Sequence, residues 1–193
     1  NELKRRGHDV CIFRPRASKR KHGGAVEELA EGIEVYDVPL SLPVRKLPGL
    51  YVVLPTFLPS FKDLRRFDPD VVHVHTEWGC GWEGLLGSKI LKKPVIGTFH
   101  TFFADPEYLK HFHLPRGKTF QKMMWKYSIT FFNRCNRVVS PSSAVKEQLL
   151  ANGLNKEPIL LSNGMNTPEF IPQERIDERR EEMGLKGSEP VFV

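Results

Sequence analysis

The chain has 193 residues, 40% of them hydrophobic and 27% charged, with a formal net charge of +6, which fits a soluble globular protein able to bury one sizeable core. Its three cysteines, Cys11, Cys80 and Cys135, are odd in number, far apart and without CxxC spacing. That usage argues against a disulfide framework or a zinc site and for a reducing compartment. The charge is concentrated at one end: residues 1–22 carry eight Lys/Arg against Glu2 and Asp9, a balance equal to the whole chain's +6. Such a stretch attracts nucleic acid, anionic lipid or a phosphorylated ligand, or is simply a solvated face. No nucleic-acid motif or interleaved aromatic accompanies it, so nucleic acid is not expected as a partner.

In chain order, Glu2 to Arg6 reads as a helix stopped by Gly7, without the apolar core of a secretory leader. Strands are predicted at His8 to Phe13 and Gly32 to Val38. The stretch from Leu47 to Phe61 has fifteen residues without a charge, bracketed by Arg45-Lys46 and Lys62. It is too short to span a membrane, and Pro48, Pro55 and Pro59 would break a spanning helix. It is either a buried crossover loop or an apolar lip resting on an anionic membrane surface, with Arg45, Lys46, Leu54 and Phe57 as contacts. Next come a strand at Asp70 to His75, a helix at Trp82 to Lys92 and a strand at Pro94 to Phe99. A helix at Thr119 to Cys135 follows, then a strand at Arg137 to Ser140. Ser142 or Ser143 caps a helix that runs to Asn152-Gly153. Pro158 to Leu161 is a further strand, Gln173 to Met183 a charged outer helix ending at Gly184, and Pro190 to Val193 the opening of another strand. This alternation predicts an α/β fold, a Rossmann-like, doubly wound parallel sheet with helices on both faces. The first and last residues both read as the middle of something, so the chain is expected to be truncated at both ends.

The chemistry gathers where strands run out. Ligands of open parallel sheets bind at the carboxyl ends of the strands. Gly97-Thr98-Phe99-His100-Thr101 puts an imidazole at one such end, and Val72-His73-Val74-His75-Thr76-Glu77 repeats the arrangement at another. A neutral imidazole there can hydrogen-bond a hydroxyl and tolerate a nearby phosphate. His100 is therefore the candidate catalytic residue, with Thr101 able to fix its ring. Glu77 either orients a bound hydroxyl, with Gly79 and Gly81 leaving room for the ligand, or is an ordinary acid at a helix start. His75, Glu77 and His100 are expected to line one open cleft. His73 and His75 share a face of their strand, but no carboxylate spacing completes a metal site, so none is expected. Ser140, at the end of Arg137 to Ser140, either contacts ligand or belongs to the following helix cap.

Three segments together, GTFHTFFADPEYLKHF, FFNRCNRVVSPSSAVKEQL and ILLSNGMNTPEF, resemble the amino-terminal half of glycosyltransferases of family four, which have the GT-B fold. In that family a strand ends in a TxHT-like signature, and a long helix leads into an N-R-C/A-x-x-V-x-x-P-S segment. The linker that follows reads like pNGID…F, and here Asn166 stands where Asp is usual. The resemblance implies one of two Rossmann-like domains facing each other across a cleft. Residues 1–163 would be the acceptor-binding domain, without its first strand. Residues 164–193 would be the interdomain linker, a helix and the first strand of the donor-binding domain. It implies a retaining glycosyltransferase that moves a hexose from a nucleotide diphosphate sugar, with no cofactor or metal required. Asp105, Glu107 and Tyr108 would overhang the acceptor side, in a loop after the His100 signature. The segment FFNRC followed by V-x-x-P-S most resembles transferases that glycosylate diacylglycerol or related lipids, which suits a cytoplasmic protein at the inner face of the membrane. A soluble sugar or polysaccharide acceptor, or a non-catalytic nucleotide-binding Rossmann module, stays open. On this reading the donor-gripping residues lie outside the chain, and the chain alone is inert.

Overall fold

The computed structural model describes residues 1–16, 29, 31–43, 51–53, 58–100, 105–111, 115, 117–164 and 180–184. They fall into two compact units, residues 1–162 and 163–193.

The first unit opens with α1 (Glu2–Arg5), which ends through Gly7 at φ +87°, a backbone conformation glycine adopts without strain. β1 (Cys11–Pro15) and β2 (Glu34–Val38) pair in parallel, with Ile12 opposite Val35. The basic end is partly neutralised: Lys4 pairs with Asp9, Arg5 and Arg6 share Glu2, and Arg14 pairs with Asp37. These are exposed pairs and add little stability.

The described residues of the stretch from Leu47 to Phe61 are a strand and the start of a helix rather than one loop. β3 (Ser41–Pro43) and β4 (Tyr51–Val53) form a short antiparallel ribbon, and α2 (Leu58–Phe67) begins inside the uncharged run. Pro59 sits in the first turn of α2, where its missing N–H costs nothing. Val53 and Ser60 are buried and Pro59 is exposed. The proposed membrane contacts Arg45, Lys46, Leu54 and Phe57 lie outside the described residues.

The second half of the unit is a four-stranded parallel sheet in the order β5 (Val72–Val74), β6 (Val95–Thr98), β7 (Arg137–Ser140), β8 (Ile159–Leu160). Strand order here follows chain order. Right-handed crossovers that step one way across a sheet put every connecting helix on the same face. α3 (Gly79–Ile90), α5 (Lys118–Phe132) and α6 (Ser143–Ala151) obey that rule. Val74, Val95, Phe99 and Val138 meet Leu85 of α3, Ile129, Phe131 and Phe132 of α5, and Val145 and Leu149 of α6 in one core. These strands and helices share one core on that face of the sheet. The described strands form three sheets rather than the one expected.

α5 and α6 have identifiable causes. Phe131 and Phe132 are fully buried, edge-on to each other with centroids 5.2 Å apart. Ser142 caps α6, its hydroxyl accepting from the Val145 N–H at 3.3 Å. Gly153, at φ +99°, ends the same segment. In the second unit, residues 180–182 are helical and turn at Gly184, φ +68°.

Candidate active site

Side chains alternate along a strand, and the register sets His73 opposite Ile96 and Val74 opposite Gly97. Val72, Val74, Val95 and Phe99 therefore face the core, while His73, His75, Thr98 and His100 share the other face. Gly97 faces the core for want of space: a Cβ there would lie 2.9 Å from Cys135 Sγ and 3.0 Å from Phe132.

On the opposite face the histidines touch one another. His73 Nε2 is 2.7 Å from the hydroxyl of Thr98, which is itself buried. The His73 and His75 rings lie 4.1 Å apart, centroid to centroid. His75 Nδ1 is 2.9 Å from His100 Nε2, with the two rings stacked at 5.2 Å. All three rings reach the surface. Even so, the protein packed around His73 pushes its pKa down to about 4, helped by repulsion from His75 and His100. His75 is lowered for the same reasons, first burial and then His100. In His73 and His75 the uncharged form is thus favoured, which suits hydrogen bonding to hydroxyls beside an anionic group. No group of three or more His, Cys, Asp or Glu suited to a metal ion occurs among the described residues.

Glu77 departs from its expected place. It is 4% exposed rather than open to a cleft, and its Oε1 accepts a hydrogen bond from the Ser128 hydroxyl of α5 at 2.8 Å. Its backbone carbonyl accepts from the Tyr127 hydroxyl at 2.7 Å, and the Trp82 indole N–H donates to that hydroxyl at 3.0 Å. Trp78 stacks on Tyr127 at 5.0 Å. The acid therefore fastens the strand end to α5, because the turn after His75 carries its side chain inward. Nothing in the sequence marked Ser128 or Tyr127 as its partners.

Burial raises the Glu77 pKa. A carboxyl whose pKa is higher folded than unfolded binds its proton more tightly when folded. Stability then falls as pH rises from the ordinary carboxyl range, about 4.5, through the raised value. Glu77→Gln keeps an oxygen for Ser128 and removes the ionisation. Melting temperatures across pH should show the wild type losing ground to this variant over that interval, and parallel curves would contradict the assignment.

The glycines next to Glu77 also serve the protein rather than a ligand. A Cβ on Gly79 would come 2.1 Å from the Val53 carbonyl oxygen, and one on Gly81 would come 1.7 Å from that of Thr76. α3 packs against the backbone there, so the reading of Gly79 and Gly81 as ligand space is corrected. Gly81→Ala must displace the Thr76 turn and should destabilise by about 1–3 kcal/mol or more, measured by denaturant unfolding. An unchanged midpoint would contradict this close approach.

Ser140 is fully buried and donates to the Ser142 carbonyl at 2.8 Å, so it shapes the corner into α6 and is closed to a ligand. Asp105 is exposed, and its carboxylate accepts from the Glu107 N–H at 2.9 Å at the start of α4 (Pro106–His111). The expected loop around Asp105, Glu107 and Tyr108 is therefore a helix start, with Tyr108 on the helix. Thr101 lies outside the described residues. A groove of about 460 Å³ lies between α5 and the end of α6, lined among others by Lys122, Trp125, Lys126 and Gly153. It contains none of the histidines.

With this geometry in view, residues 1–168 match the sequence profile described as Glycosyltransferase Family 4. The chain is similar to a GDP-mannose-dependent alpha-mannosyltransferase of Mycobacterium tuberculosis, 27% identical over 173 residues, 90% of this chain and 43% of that protein. It is also similar to an alpha-monoglucosyldiacylglycerol synthase of Streptococcus pneumoniae, 25% identical over 197 residues, 100% of this chain and 42% of that protein. The chain thus spans less than half the length of these relatives. Among solved structures it resembles Anabaena HepE in complex with UDP-glucose, at TM-score 0.56 and 16% identity over 79% of this chain and 37% of that one. That likeness bears on the fold, which is α/β and Rossmann-like, as expected.

Proposed function

This chain belongs to Glycosyltransferase Family 4, and on that premise we propose that it is the acceptor-side part of a retaining glycosyltransferase. The full-length protein moves a hexose from a nucleotide diphosphate sugar to a lipid of the diacylglycerol type at the membrane surface. Residues 1–163 form the acceptor-binding domain and residues 164–193 the linker toward a donor-binding half. The observation that carries the reading is the His75–His100 pair, exposed beyond β5 and β6 where a parallel sheet binds its ligands. His100 holds the attacking hydroxyl of the acceptor, and the buried strand ends behind it keep its position fixed. Charge on the departing diphosphate is neutralised from the donor half. The lipid acceptor is supported by similarity to the alpha-monoglucosyldiacylglycerol synthase over the whole of this chain. The proposed contact is peripheral; no helix among the described residues is long and apolar enough to cross a membrane.

The test offers UDP-glucose and GDP-mannose, each labelled in the sugar, to the full-length protein with diacylglycerol in mixed micelles or with soluble oligosaccharides. Label in the lipid fraction is the expected result. Label only in the soluble acceptors would replace the lipid with a saccharide, and label in neither would remove the transferase reading.

A further inference from the structure

The row of histidines contains more than one candidate base. His100 offers two ring nitrogens, and Nε2 lies 2.9 Å from His75 Nδ1. That contact holds a single proton, because two N–H groups cannot point at each other. When both rings are neutral, the pair carries two protons on four nitrogens, and one of them occupies the contact. Two arrangements remain. If His75 donates, His100 Nδ1 carries the other proton and can only donate outward. If His100 donates, its Nδ1 is bare and accepts. The tautomer of His100 is therefore set jointly with that of His75.

We propose that His75 is a positioning residue for His100: it occupies His100 Nε2 and leaves Nδ1 as the atom that meets the acceptor hydroxyl. The rest of the row supports this arrangement. His73 lies against the His75 ring at 4.1 Å and is tied to the buried Thr98 hydroxyl at 2.7 Å. That packing restrains the swing of the His75 ring. In the accepting arrangement the hydroxyl's proton points at His100 Nδ1. The hydroxyl oxygen bonds to the sugar carbon on the same face from which the diphosphate oxygen departs, as retention requires, and as the bond to that departing oxygen breaks the hydroxyl's proton passes to Nδ1. His75 Nδ1 accepts a hydrogen bond from the Nε2–H of His100 throughout, which holds the ring and stabilises the positive charge that forms on it. The leaving diphosphate takes the bonding pair.

This inference rests on the transferase reading above, and its experiment separates the two. Asparagine places a polar atom where His75 carries Nδ1, whereas phenylalanine keeps the ring shape without nitrogen. In the full-length protein His75→Phe should lower kcat on the order of 10²-fold with the KM for nucleotide sugar unchanged. His75→Asn should recover most of the loss, and both should melt with the wild type. Nitrogen-15 NMR of histidine-labelled full-length protein supplies a readout independent of transfer. The His100 Nε2 resonance should show a hydrogen-bonded nitrogen in wild type and His75→Asn, and a free one in His75→Phe. An unaltered His100 resonance in His75→Phe, or equal kcat in the two variants, would overturn the positioning role. A protein that transfers no sugar but shows the coupled resonances would leave the pair standing and remove only the transferase reading.

Discussion

Replacing His100 by alanine in the full-length protein is expected to cut sugar transfer by about 10²–10⁴-fold, the usual cost of removing a positioned proton-transferring group. The fold should survive the change. His100 lies beyond the last residue of β6 with its ring exposed, and the neighbouring core position is taken by Phe99, 2% exposed. Its one side-chain hydrogen bond in this row is to His75, a surface contact whose loss leaves no buried group unpaired. Thermal unfolding measured beside turnover separates the two effects. A folded variant with near-wild-type turnover would remove His100 from the chemistry.

The largest effect on stability is expected at the opposite face of the same strands. Phe131 is fully buried, edge-on to Trp82 at 5.2 Å and to Phe132 at 5.2 Å. It links α5 to α3 beneath β5 and β6, within the core that positions both histidine strands. Phe131→Ala removes a whole ring from a site that cannot collapse without moving a helix. The expected cost is about 3–5 kcal/mol, against about 5–15 kcal/mol for a typical domain. Denaturant unfolding should show a large fall in midpoint, and transfer should fall with it as the strand ends lose their support. A shift below about 1 kcal/mol would mean that the core is packed differently.

How much of this was legible in the sequence differs from element to element. Arg137 to Ser140 was readable to the residue and the helix that follows to within one residue at its cap, because a short apolar run and two adjacent serines leave little choice. The alternation Val72-His73-Val74-His75 also placed two imidazoles on one face, and Thr98 and His100 repeat the spacing on the next strand. β3, β4 and α2 were not legible. Three-residue strands have no period to detect, and an uncharged run broken by prolines hides a helix whose proline sits harmlessly in its first turn. α4 was missed although Asp105-Pro106-Glu107 carries a recognisable start, a capping acid before proline. The inward turn of Glu77 could not be read at all, since its partner Ser128 lies 51 residues away. Gly79 and Gly81 look alike whether a ligand or a neighbouring backbone occupies the space beside them. Here it is backbone.

We propose transfer with retention from a nucleotide sugar. Its most direct test is the anomeric configuration of the product formed by the full-length protein from UDP-glucose or GDP-mannose, read by proton NMR of the isolated glycoside. An α-linked product is expected, formed by the wild type and lost in His100→Ala. A β-linked product, or an α-linked product formed equally well without His100, would contradict it.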